Sequence, residues 1–111
     1  FKSTHCYQLY YKYATNYQFY VTLMPNLNQV WALYLLECEN GYLYAGISND
    51  VERRFIQHQK GKGAKFTRIN RPLKILGVER FANRSEASIA EFALKKISKS
   101  KKLLWAERNR L

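Results

Sequence analysis

From Trp31 to Gly46 the chain reads WALYLLECENGYLYAG, and the way this stretch turns back on itself decides the fold. Trp31 to Cys38 and Tyr42 to Ile47 are aromatic and aliphatic enough for two strands. Glu39-Asn40-Gly41 between them carries turn chemistry, so the pair reads as a hairpin. Two registers are open. A two-residue turn at Asn40-Gly41 pairs Cys38 with Leu43 and sends Tyr34 and Tyr44 to opposite faces, because side chains alternate along a strand. A three-residue turn with Gly41 in the left-handed conformation pairs Cys38 with Tyr42. Leu36 then faces Tyr44, Tyr34 faces Gly46, and the two phenols share a face as diagonal neighbours. Only this second register assembles the phenols into a site.

Downstream, Asn49 with Glu52 three residues on has capping-box spacing and starts a helix through VERRFIQHQK. Val51 and Phe55 form its apolar stripe. At helical spacing Arg54 and His58 fall beside that stripe, and Arg53 and Gln57 point away. The following GKGAKFTRINRP is too rich in glycine and cation for a regular element and ends at Pro72. Leu73 to Phe81 alternates loosely as a third strand. Asn83 and Glu86 repeat the capping spacing before a helix from about Ser85 to Ser98, with Ile89, Ala93, Leu94 and Ile97 expected inward. A polar break at Lys99 to Lys102 precedes a short helix with Leu103, Leu104 and Trp105. The order ββαβαα gives an α+β fold, a small three-stranded antiparallel sheet flanked by helices.

The whole chain has 111 residues, 47% of them apolar, which suits one domain with one hydrophobic core. Lysine and arginine number 19 against 8 acids, a formal charge of +11. Such an excess on a small domain favours a polyanion, since each phosphate neutralised releases condensed counterions. A membrane is the rival partner, but the chain has no run of roughly 18 or more apolar residues and no basic amphipathic helix with a broad apolar face. Cys6 and Cys38 share no metal-ligand spacing and cannot build a disulfide framework, and no export signal is evident, which points to the cytoplasm.

Residues 1–23 read differently, with six of the nine tyrosines and no acid, ahead of the sole methionine, Met24. They are expected to be an extension to a domain spanning 24–111 that starts naturally at Met24. The alternative is an extra edge strand at Phe19 to Leu23, with the tyrosines upstream forming a surface on which bases stack.

Ala32-Leu33-Tyr34 and Tyr44-Ala45-Gly46 resemble the paired tripeptides of the GIY-YIG nuclease family. Arg54 follows eight residues after Gly46, and Glu91 sits on the later helix. The resemblance runs from about Trp31 to Trp105. It is strongest to the short stand-alone bacterial members, which are similar to the catalytic subunit of the structure-specific junction-cutting endonuclease. Gly61 to Arg68, GKGAKFTR, is the strongest local marker of that branch. Two departures stand out: Ala32 replaces the leading glycine of the first tripeptide, and Leu103 stands where some relatives carry an asparagine.

The resemblance implies a hydrolase that cuts DNA phosphodiester bonds in one step with Mg²⁺ or Mn²⁺, in repair or recombination, on branched or single-stranded DNA. RNA stays open as the polymer. Tyr34 and Tyr44 would share the roles of base and water or phosphate holder. A phenol with a free pKa of about 10 needs a nearby cation to serve as a base. Arg54 would stabilise charge on the phosphate, a task suited to a fork of donors that never titrates near neutrality. His58 would hydrogen-bond the phosphate or assist proton transfer. Glu91 would be the sole protein ligand to the metal, the other positions going to water and phosphate oxygens. Lys60, Lys62, Lys65, Arg68 and Arg71 would bind the nucleic-acid backbone. These 111 residues hold no cysteine-rich zinc module or second nuclease domain, so selectivity falls to a protein partner or to DNA shape. The chain is expected to act as a monomer or weak dimer.

Each residue also has a plainer reading. The tyrosines suit ordinary strands. Arg54 and His58 fit a solvated helix rim, and Glu91 with Lys95 makes a surface pair worth about 0.3–0.5 kcal/mol. The glycine-rich loop fits an exposed connector. Together those readings describe the alternative function, a non-catalytic basic nucleic-acid-binding module.

Overall fold

The structure, a computed structural model, describes residues 30–110; the expectations for residues 1–23 and for a start at Met24 lie outside the described residues. Strand β1 (Trp31–Cys38) is central, with β2 (Leu43–Ser48) on one side and β3 (Pro72–Phe81) on the other, both antiparallel to it. A strand hydrogen-bonded on both edges and covered on both faces needs apolar residues in both directions. That accounts for the buried run Ala32 to Leu36 without polar alternation.

One face of β1 presents Ala32, Tyr34, Leu36 and Cys38 to Val51 and Phe55 of helix α1 (Val51–Gln59), with Ile75 and Val78 of β3. The other presents Leu33 and Leu35 to Ala45 of β2, Leu94 of α3 (Arg84–Lys96) and Ala106 of α4 (Lys99–Arg108). The result is the expected α+β arrangement, a three-stranded antiparallel sheet with helices on both faces.

The hairpin adopts the second register. Tyr34 pairs with Gly46 and Leu36 with Tyr44. The turn Glu39–Gly41 is a single 3₁₀ turn in which both Asn40 (φ 63°) and Gly41 (φ 77°) are left-handed. Asparagine and glycine are the residues that accept that conformation at least cost. The Cys38 amide closes the turn on the Tyr42 carbonyl at 2.7 Å. Cys38 itself is a buried free thiol, its pKa pushed up to about 11 by burial and by Glu37 and Glu39.

Several local expectations are corrected. The α1 cap is Asp50, one residue after Asn49, its side chain accepting from the Arg53 amide at 3.1 Å. The glycine-rich segment is not wholly irregular: Lys65–Ile69 forms a short helix, α2, so the order is ββααβαα. Helix α3 is capped by Asn83 as its spacing predicts. Its inward face, however, is Ala87, Ala90 and Leu94, whereas Ile89 (69% exposed), Ala93 and Ile97 face outward. Small residues let α3 lie close on the sheet, and the larger ones have no room beneath it. Helix α4 starts at Lys99 behind a Ser98 cap rather than after a break at Lys99 to Lys102; its buried residue is Ala106, and Leu103 and Leu104 are exposed. No helix among the described residues is long and apolar enough to cross a membrane.

Candidate active site

Tyr34 projects from the central strand over its ladder partner Gly46. An ideal Cβ on Gly46 would come within 2.5 Å of the Tyr34 Oη and 2.7 Å of its Cζ, so the phenol occupies space that only glycine leaves open. Tyr44, two residues before Gly46, shares the face with Tyr34, the ring centroids 6.5 Å apart. The shared register thus brings the two phenols together.

His58 completes the contact from α1. It continues the stripe of Val51 and Phe55 and is fully buried, at 0% exposure, so the expected position beside the stripe is corrected to one within it. Its Nε2 lies 2.9 Å from the Tyr34 Oη, and its ring meets Tyr44 edge-on at 5.2 Å. On the opposite side Nδ1 lies 2.8 Å from Oγ1 of Thr67, which donates to the Ala64 carbonyl at 2.9 Å. No buried side-chain nitrogen or oxygen among the described residues lacks a partner.

Burial dominates the electrostatics. It raises the Tyr34 pKa, Tyr44 adds to the rise, and the Arg54 guanidinium opposes it by charge and hydrogen bonding without overcoming it. The Arg54 guanidinium alone therefore does not draw out a phenolate at Tyr34 near neutral pH. Burial, then the charge of Arg54, pushes His58 down from 6.5 to about 4. Near neutrality the pair is a neutral phenol against a neutral imidazole.

Arg54 is half-buried beside these rings, and its Nη1 donates to Gln57 Oε1 at 3.1 Å. Gln57 was expected to point away; it is half-buried and steers the guanidinium. Its three-residue spacing from Arg54 on a helix was the available signal. Thr67 was also missed. It lies in the quoted GKGAKFTR run, but nothing local says that a threonine there meets a histidine nine residues earlier.

Glu91 stands on α3, which packs on the sheet face opposite α1, yet its charge still contributes to the rise at Tyr34. Lys95 pairs with it at 3.1 Å. Among the described residues no three His, Cys, Asp or Glu side chains are grouped to hold a metal ion. A lone, partly exposed carboxylate fits Mg²⁺ or Mn²⁺, which keep most of their water and take one or two protein carboxylates; it does not fit a closed zinc site. Lys60, Lys62, Lys65, Arg68 and Arg71 are all exposed on the segment joining α1 to β3. Beside them Phe66 stacks on Tyr44 at 5.9 Å and meets Tyr42 edge-on at 6.0 Å, a row of rings leading outward from the buried pair. Tyr42 and Phe66 are exposed.

Residues 30–103 match the GIY-YIG catalytic domain. The chain is 51% identical to a UPF0213 protein of Cupriavidus pinatubonensis over 70% of its own length and 87% of that relative. It is 39% identical to the UPF0213 protein YazA of Bacillus subtilis over 69% and 78% of the two chains. The solution NMR structure of the UPF0213 protein BH0048 from Bacillus halodurans, 36% identical, covers 70% of this chain and 83% of its own with a TM-score of 0.45. The paired tripeptides on β1 and β2 lie within the matched residues, and the chain belongs to the GIY-YIG family.

Proposed function

We propose that this chain is a divalent-metal-dependent endonuclease that hydrolyses DNA phosphodiester bonds, in repair or recombination, on branched or single-stranded DNA. The observation that carries the reading is the buried Tyr34–His58 hydrogen bond with Tyr44 and Arg54 against it, next to five exposed cations. Membership of the GIY-YIG family supports the nuclease part.

Water attacks phosphorus in line; the new P–O bond forms as the bond to the 3′ oxygen breaks, and the leaving oxygen is protonated from solvent. The ends are 5′-phosphate and 3′-hydroxyl. Tyr34 takes the water's proton on Oη while its own hydrogen passes to His58 Nε2, so no free phenolate forms in a buried place. Tyr44 holds the water or phosphate through its hydroxyl. Arg54, steadied by Gln57, places its fork on the phosphate oxygens as charge builds there. Glu91 would hold Mg²⁺ or Mn²⁺, which when bound supplies Lewis-acid stabilisation of phosphate charge. The exposed Tyr42 and Phe66 rings beside Lys65 and Arg68 suit an unpaired base stacked next to a gripped backbone, which favours substrates with single-stranded character.

The test is cleavage of labelled single-stranded, duplex, flap and four-way-junction DNA with Mg²⁺ or Mn²⁺, beside EDTA and the Arg54→Ala and Glu91→Gln variants. Metal-dependent cutting that both variants lose is the expected result. Salt-sensitive binding with no cutting of any substrate overturns it and identifies the non-catalytic basic module.

A further inference from the structure

Thr67 Oγ1 sits between two partners, the Ala64 carbonyl oxygen at 2.9 Å and His58 Nδ1 at 2.8 Å. A hydroxyl has one hydrogen to donate, and a carbonyl oxygen can only accept. Both contacts are hydrogen bonds at once only when the Thr67 hydrogen goes to Ala64, whose carbonyl also accepts from the Arg68 amide at 3.1 Å, and toward His58 the threonine oxygen is then an acceptor. In that arrangement the proton resides on Nδ1. Since a neutral imidazole carries one N–H, Nε2 is left with its lone pair and the Tyr34 hydroxyl donates to it. Every bond in the chain from Tyr34 through His58 and Thr67 to Ala64 points the same way.

The rest of the segment keeps the ring in place. Thr67 is 1% exposed and His58 0%, so solvent does not substitute for either partner. A Cβ on Gly63 would run into Nδ1 and Cε1 of His58, so the glycine leaves the space that the imidazole occupies. Thr67 lies on α2 between Phe66 and Arg68, within the basic segment itself.

We propose that Thr67 is a positioning residue: by fixing His58 as the Nδ1–H tautomer it sets the direction of the Tyr34 hydroxyl, and so couples the basic segment to the buried pair. Its kinetic consequence rests on the hydrolysis proposed above; its structural content does not. The lost-hydroxyl variant Thr67→Val deprives Nδ1–H of its acceptor in a buried place, and the proton moves to Nε2. Nε2 then donates to Tyr34 and is no longer able to take its hydrogen.

The experiment is long-range ¹H–¹⁵N NMR of the histidine rings near pH 7 in the whole chain, without metal or nucleic acid. The chain has 2 histidines, so a His58→Gln spectrum assigns the signals. The expected wild-type pattern is a pyrrole-like Nδ1 and a pyridine-like Nε2, retained in Thr67→Ser and lost in Thr67→Val. In cleavage assays kcat of Thr67→Val should fall by about 10²-fold with KM little changed, and Thr67→Ser should recover most of it. A wild-type His58 protonated on Nε2 overturns the proposal without any variant. A Thr67→Val protein that keeps both the Nδ1–H pattern and wild-type kcat does so as well. The expected tautomers in a wild-type protein that cuts nothing would instead uphold the proposal and refute the nuclease reading.

Discussion

Gly46 faces Tyr34 across the β1–β2 ladder, and the phenol fills the volume that a Cβ on Gly46 would take. The last residue of the second tripeptide is thus a spacer for the last residue of the first. Gly46→Ala must move the Tyr34 ring, which is held at 2.9 Å to His58. The expected cost is about 1–3 kcal/mol of stability, as for other overpacked sites. Urea unfolding gives that figure, and the histidine NMR signals report whether the Tyr34–His58 bond survives. A protein of unchanged stability and unchanged His58 shifts would contradict the assignment.

Acid should weaken the fold through His58. Its folded pKa of about 4 lies below the ordinary 6.5, so between those values the unfolded chain binds a proton that the folded protein refuses. Stability is therefore full above about pH 6.5, declines as pH falls through that window, and levels near pH 4. The step is worth about 3 kcal/mol. Melting curves from pH 7 to 4 check it, with His58→Gln removing the slope. The acid limb of cleavage should follow the same group and lie near pH 4 rather than 6.5.

Phe66→Ala should weaken binding to a single-stranded oligonucleotide by about 1–3 kcal/mol, the loss of one stacked base, with little effect on duplex. Fluorescence anisotropy on both ligands decides this; equal loss on the two would mean that the ring only supports Tyr44.

Lys62→Ala and Lys65→Ala should act differently, through salt. Each phosphate contact removed lowers the slope of log K against log salt by about 0.7 for a single strand. Binding titrations at several salt concentrations give that slope, and an unchanged value in the double variant would remove these lysines from the interface.

Lys95 competes for Glu91, with which it makes a 3.1 Å ion pair. Lys95→Ala should tighten divalent-ion binding, read as a larger rise in melting temperature per increment of Mg²⁺, while costing under about 0.5 kcal/mol from the lost helix pair. Glu91→Gln should erase the Mg²⁺ effect.

The hairpin and its two possible registers were legible because turn length and side-chain alternation are local properties, but Asn40-Gly41 suits either turn; the structure takes the longer one, with both residues left-handed and Tyr34 against Gly46. The place of Tyr34, Tyr44 and Arg54 follows from that hairpin and one helix. His58 was harder, since a polar residue in an apolar stripe reads as its edge; its burial depends on acceptors and donors 24 and 9 residues away. Helix α2 was invisible for the same reason. It has no side-chain cap, and its one buried residue, Thr67, is held by a tertiary partner. On α3 the helical period groups Ile89, Ala93 and Ile97 with Leu94, whereas close packing on the sheet selects Ala87 and Ala90 beside Leu94.

Tyr34 and Thr67 belong to parts of the molecule with unequal resistance to opening. Tyr34 is on a strand paired along both edges, and its amide should exchange with solvent at the rate of global unfolding. Thr67 rides on a helix of five residues whose detachment leaves both ladders intact. On gradual heating His58 should therefore lose its Thr67 partner before the protein melts, with circular dichroism still reporting an intact sheet, and should regain it on cooling without the chain having to refold.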